Sequence, residues 1–101
     1  MFIQVMDFRT SRRAELATLE ERWRDATRGK RSVRRVIIGQ DRTDSDRYVL
    51  LAFYDDYESM QSDSALLETA VAAERQNEHI IELPKFIDLD VVKDVDYAEL
   101  G

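Results

Sequence analysis

The chain has no cysteine, so disulfides, thiolate metal sites and thiol nucleophiles are excluded. It has one proline and three glycines in 101 residues, too few for the glycine-rich loops that cradle phosphates. One histidine leaves little scope for imidazole chemistry, and a histidine-based metal set lacks its second member. No apolar run approaches the ~20 residues of a membrane span, and Met1 to Met6 is too short for the core of a signal peptide. No nucleophile elbow, dinucleotide fingerprint, internal repeat or low-complexity tract is present. These absences predict a soluble, cytoplasmic protein with no membrane partner, no metal and no resident cofactor.

What is present is a balance of 44% hydrophobic and 36% charged residues, the composition of a folded domain. The length fits one domain, 1–101, with 93–101 as a candidate tail. The net charge of −6 is uneven. Residues 1–47 carry 12 basic and 8 acidic side chains, and 48–101 carry 3 and 13, so the two parts stand at +4 and −10. That asymmetry can steer self-association where basic and acidic surfaces of two copies meet, although solvated faces account for most such charge.

Hydrophobic periodicity divides the chain into β-α-β-β-α-β. Phe2 to Met6 reads as a strand, and Thr10 or Ser11 offers a hydroxyl cap for a helix over Arg12 to Ala26 with Leu16, Leu19, Trp23 and Ala26 on its inner stripe. Gly29 stands where a left-handed residue would end that helix. Val33 to Asp41 is β-branched and precedes the polar turn Thr43 to Asp46, so it should pair as a hairpin with Tyr48 to Tyr54. Asp55 and Glu58 have capping-box spacing for a second helix, with Met60, Leu67, Ala70 and Val71 inward and an interruption expected at Ser62 to Ser64. Pro84 separates it from a last strand, Lys85 to Val92.

This order predicts an α+β, ferredoxin-like βαββαβ fold with a four-stranded antiparallel sheet and both helices on one face. Tyr48 to Tyr54 is apolar on both faces, so the sheet's second face needs a cover, and in so small a chain a second copy supplies it. An RNA-recognition motif shares the order, and Arg47, Tyr48 and Phe53 faintly echo its third strand. However, Leu50 and Leu51 replace its glycine and the chain is acidic, which predicts no nucleic-acid partner.

The opening Met1-Phe2-Ile3-Gln4-Val5, the second strand ending Ile37-Ile38-Gly39, the run Tyr48 to Tyr54 into an acidic helix start, and Ser62-Asp63 within that helix resemble the dimeric α+β barrel superfamily, in its antibiotic biosynthesis monooxygenase-like branch. The resemblance implies a homodimer whose two sheets close a barrel. It also implies a small apolar or aromatic ligand, and activities that include cofactor-independent oxygenation of aromatic substrates. The haem-degrading members use an Asn, a Trp and a His at places falling near Met6, Ser59 and Thr69; none matches, which argues against haem degradation. A non-catalytic ligand-binding or interaction module of the same fold is the alternative, and a small-molecule-responsive regulatory module resembling ACT domains is a third possibility.

Candidate site residues are few. His79 is the obvious general base by its pKa range, but its place near a helix end also suits a surface or capping role. Asp88, with Asp90, alternates away from Ile87, Leu89 and Val91; it would be a base if enclosed and an ordinary surface charge at a rim. Tyr54 and Tyr48 could supply phenolic hydrogen bonds or pack at a dimer seam. Trp23, Phe53 and Phe86 are candidate ligand-lining rings, Trp23 being equally suited to the core. Glu74, Glu78 and Glu82 recur every four residues as a solvated face. Arg28, Lys30, Arg31, Arg34 and Arg35 form a basic run that suits a charged hairpin edge.

Overall fold

A computed structural model describes residues 1–101. Strand β1 (Phe2–Arg9) leads to helix α1 (Arg13–Ala26), the hairpin strands β2 (Arg35–Gln40) and β3 (Arg47–Tyr54), helices α2 (Tyr57–Ser64) and α3 (Leu67–Asn77), strand β4 (Lys85–Asp90) and a short helix α4 (Tyr97–Leu100). The sheet is four-stranded and antiparallel in the order β2-β3-β1-β4, the expected ferredoxin-like α+β arrangement.

Alternation along the strands decides what each face is. Phe2, Met6 and Phe8 on β1 stand opposite Tyr54, Leu50 and Tyr48 on β3, and the buried residues among them all lie on the face packed by helices. Phe2, Ala52, Tyr54 and Met60 form one buried cluster; Met6, Phe8 and Tyr48 form a second, with Leu16 and Ile80 against it and Leu50 touching both. On the other face, cross-strand neighbours line up in rows: Arg35, Phe53, Ile3 and Leu89, then Ile37, Leu51, Val5 and Ile87, then Gly39, Val49, Asp7 and Lys85. No helix covers this side. Both edge strands, β2 and β4, are exposed along their whole length.

Several boundaries differ from the sequence reading for identifiable reasons. β1 continues through Asp7 and Arg9 because their charges pair on the open face, Asp7 with Arg47 and Arg9 with Asp44. Thr10 does not cap α1: its hydroxyl accepts from the Arg12 N–H (2.9 Å) and donates to the His79 carbonyl (2.5 Å), tying the end of β1 to the chain after α3. The cap of α2 is Asp56, accepting from the Ser59 N–H at 2.8 Å, while Asp55 is drawn to Arg34. The helical break falls at Ala65 and Leu66, just after Ser62 to Ser64, and rephases α3, so that Leu67, Ala70 and Val71 are exposed rather than inward. Gly29 has φ +80°, as the end of α1 requires. β4 stops at Asp90, and 93–101 carries the short helix α4.

One buried carboxylate fixes the layer geometry. Asp63, 2% exposed, accepts from the Ser32 N–H at 2.6 Å and the Val33 N–H at 3.0 Å, locking α2 to the chain entering β2. This holds Val33 off the sheet, so β2 begins at Arg35. Removing the acceptor strands two backbone donors, and Asp63→Ala should cost about 2–4 kcal/mol, with Asp63→Asn, which keeps one acceptor oxygen, costing less. Urea unfolding midpoints of the two variants and the parent test this order.

Candidate functional site

A cleft of about 310 Å³ lies on the helix side of the sheet between α3 and β4. It exists because α1, α2 and α3 cover β1 and β3 but leave the β4 edge bare. Met6 forms its floor, Ala73, Gln76 and Asn77 come from the last turns of α3, and Leu83, Pro84 and Phe86 close the other wall. Phe86 is 57% exposed, a ring with little intramolecular cover. The polar groups are two side-chain amides. Gln76 donates from Nε2 to the Met6 sulfur at 3.4 Å, a weak acceptor that a ligand oxygen can displace. No titratable side chain lines the cleft.

Of the candidates read from sequence, Phe86 alone reaches this cleft. Trp23 instead bridges two helices, its indole N–H donating to Thr69 Oγ1 at 2.8 Å. Tyr48 is buried on the helix side, stacked on Phe8 at 5.7 Å between ring centroids and covered by the Arg13 guanidinium. Tyr54 shares that side, packing on Phe2, and burial pushes its phenol up to about 12, with the Asp63 carboxylate adding to the effect. It is therefore a neutral phenol at physiological pH. Neither tyrosine lies on the open face, so the dimer-seam alternative falls on register alone.

Phe53 does lie on the open face, among Ile3, Arg35 and Leu51. His79 follows the end of α3, outside the cleft, and its buried Nδ1 has no hydrogen-bond partner. Asp88 lies on the helix side but exposed, accepting from Gln4 Nε2 at 3.4 Å, because no helix reaches the β4 edge. Glu74 lies on α3, whereas Glu78 and Glu82 fall beyond its end, so the three share no helical face. No group of three acidic or histidine side chains is placed to hold a metal ion. The sequence reading missed Gln76 and Asn77, since amides near a helix end carry no recognisable spacing.

A second, smaller hollow of about 190 Å³ is polar and lies at the far end of the open face, lined by Asp7, Arg9, Arg47, Glu82, Leu83 and Lys85. Arg47 is engaged on two sides: it grips Asp7 through two nitrogens at 2.8 and 3.2 Å and Asp41 at 3.0 Å. The cations of this hollow are thus largely neutralised, and this end of the sheet reads as a charged border to the apolar rows.

The fold has many solved counterparts. SnoaB, a cofactor-independent oxygenase from Streptomyces nogalater, superposes with a TM-score of 0.78 at 14% identity, over 93% of this chain and 95% of that one. This is the fold of the antibiotic biosynthesis monooxygenases. A structure described as an antibiotic biosynthesis monooxygenase matches with a TM-score of 0.72 at 15% identity, over 92% of this chain and all of that one. Rv0793 from Mycobacterium tuberculosis matches at 0.75 and 13%, over 94% and 98%. No family model matches the chain, and no curated protein matches it by sequence. No helix is long and apolar enough to cross a membrane.

The charged border makes a pH prediction. The Thr43 backbone and hydroxyl donors, then Arg47, hold the Asp41 carboxyl down at about 2, and Arg47 lowers Asp7 in the same direction. Carboxyls depressed by folding contribute stability above their ordinary range near 4, and that contribution is lost as pH falls towards the folded value near 2. Asp41→Asn should therefore destabilise the protein at pH 7, and its unfolding midpoint should converge on the parent's between about pH 4 and 2. Denaturant titrations across that range check it.

Proposed function

We propose that the chain works as a homodimer in which each protomer holds a small, largely apolar aromatic molecule in the cleft between α3 and β4 and oxygenates it without a cofactor. The observation that supports this best is the cleft itself: Met6, Leu83 and Phe86 give it apolar walls, and its polar side chains are the amides of Gln76 and Asn77. A planar ring fits against Phe86, and an amide N–H can hold a phenolic or carbonyl oxygen. The shared fold with SnoaB supports the reaction class.

The chemistry needs little from the protein. An anthrone-type substrate loses a proton from its activated carbon to water, since the cleft holds no side-chain base, and the resulting anion gives an electron to dioxygen. Recombination forms a C–O bond and a peroxide anion, which takes a proton back from water to become a hydroperoxide, and loss of water leaves a carbonyl. The CH₂ carbon is oxidised, dioxygen is reduced, one oxygen atom enters the product and the other leaves as water, so no external reductant is required. The protein's part is to orient the ring and to keep the anion's surroundings apolar.

The homodimer is supported by exposed area. The chain leaves 7417 Å² accessible, against about 5,900 Å² expected for a compact monomer of 11.8 kDa. The excess, about 1,500 Å² per chain, is in the range that obligate dimers bury. Its apolar part is the open face, where Ile3, Val5, Val49, Leu51 and Phe53 are only half-buried and Ile37, Ile87 and Leu89 are exposed. Native mass spectrometry should find a species at twice 11.8 kDa, and Leu51→Glu should shift it to monomer or unfold it. A parent protein that runs as a monomer would sink the dimer reading.

A second reading, a ligand binder without chemistry, is favoured by the lack of a titratable side chain in the cleft. Oxygen uptake with a panel of anthrones and phenols separates the two. Consumption that disappears in Ala73→Trp, which fills the cleft, supports the oxygenase; binding without uptake assigns the binder.

A further inference from the structure

Of the seven residues around the cleft, only Met6 carries an atom that peroxide oxidises readily. Gln76 and Met6 both line the cleft, and the amide nitrogen of one stands 3.4 Å from the sulfur of the other, which places that sulfur at the cleft floor. Behind it, Met6 packs with Phe8 and Tyr48.

The chain has three methionines, and each sulfur has a different environment. Met1 is terminal and 57% exposed. Met60 is buried with Phe2, Ala52 and Tyr54, and its sulfur accepts from both Gln4 Nε2 at 3.6 Å and Ser64 Oγ at 3.4 Å. Two donors occupy both lone pairs of that thioether, and Met60 lines no part of the cleft. Met6 has one donor, Gln76, so one lone pair is free even in the empty cleft.

A ligand oxygen that accepts the Gln76 N–H at the usual distance of about 2.9 Å takes that donor from the sulfur and lies beside it. For a hydroperoxide, this sets the O–O bond next to a thioether with both lone pairs free, at the separation of about 3–3.5 Å from which bonds form.

Resting on the oxygenase reading for the source of the peroxide, we infer that Met6 is an oxygen-acceptor site: peroxide held in the cleft by Gln76 passes its distal oxygen to the Met6 sulfur and leaves methionine sulfoxide in the floor. A sulfur lone pair attacks the distal oxygen, the O–O bond breaks and an S–O bond forms. Sulfur gives up two electrons. The proximal oxygen keeps the bonding pair and takes the proton that the distal oxygen carried, so the substrate hydroperoxide leaves as an alcohol instead of losing water to a carbonyl. No other reductant takes part. The new oxygen projects into the cleft, where there is room for it, and accepts the Gln76 N–H better than the thioether did. An apolar ring then meets a polar floor. Oxygenation is thereby self-limiting, and a methionine sulfoxide reductase restores the site.

Dilute hydrogen peroxide applied to the intact protein, with each oxidised methionine located by tandem mass spectrometry, reads the site without a substrate. Met1 should oxidise first, and Met6 about tenfold faster than Met60. In urea Met6 and Met60 should oxidise at one rate, and Ala73→Trp, by filling the cleft, should slow Met6 towards Met60. Met6 oxidising no faster than Met60 in the folded protein overturns the site. A second arm uses anthrone and dioxygen with no added peroxide. Met6 sulfoxide should accumulate with turnover, one alcohol product for each sulfoxide, and Met6→Leu, close in volume, should sustain oxygen uptake after the parent has slowed. Oxygen uptake that leaves Met6 unoxidised overturns the transfer. No oxygen uptake, with hydrogen peroxide still oxidising Met6 at the faster rate, sinks the oxygenase reading and leaves Met6 standing as an acceptor of external peroxide.

Discussion

The sheet is apolar on both sides, and the helices of one chain can cover only one of them. Most of the architecture depends on this constraint. α1, α2 and α3 are spent on β1 and β3, where Phe2, Met6, Phe8, Tyr48, Ala52 and Tyr54 are buried. The two edge strands receive no cover from either direction. The edge on the β4 side becomes the wall of the cleft, and the opposite face becomes a surface with rows of Ile, Val, Leu and Phe in contact with water. Exposed edges and a flat apolar face together are an aggregation hazard for a lone protomer, and a closed pair of sheets removes both at once.

Charge confines that apolar surface. Asp7, Arg9, Asp41, Asp44 and Arg47 interlock at one end of the sheet, two acids around Arg47 and one on Arg9, so the border is polar yet nearly neutral within itself. Such a border limits how a partner sheet can slide, because any shift along the strands would bury one member of a pair without the other. At the opposite end there is no comparable network on the open face. Arg35 is alone there, and the local imbalance is where specificity for one mode of association can reside.

The element order and the sheet were legible because strand alternation and helical stripes report burial directly: the two-sided Tyr48 to Tyr54 run identified the central strand, and Leu16, Leu19 and Trp23 marked the packed stripe of α1. The errors share one cause. Caps and boundaries were assigned to the nearest suitable side chain, but tertiary partners took several of them first: Thr10 was claimed by the His79 carbonyl, Asp55 by Arg34, and Val33 by Asp63. The phase of α3 was lost at the break, since two residues of non-helical chain rotate every position after them. The site was barely legible. Phe86 was among the rings read as ligand-lining, whereas Gln76 and Asn77 acquire meaning only once α3 has been placed beside β4.

That faintness follows from the chemistry proposed for the cleft. An enzyme that supplies a nucleophile, a metal or a redox group must place reactive side chains at fixed spacing, and these leave a pattern. Where the substrate's own acidity generates the electron donor and dioxygen is the acceptor, the protein contributes shape, an apolar lining and one or two neutral hydrogen bonds. Met6, Ala73, Leu83 and Phe86 are then under the same physical demands as core residues, namely size and apolarity, and differ from them only in what they face. A cleft of this kind passes readily between catalysis and plain binding, because the distinction rests on which ligand enters and not on a group the chain must add.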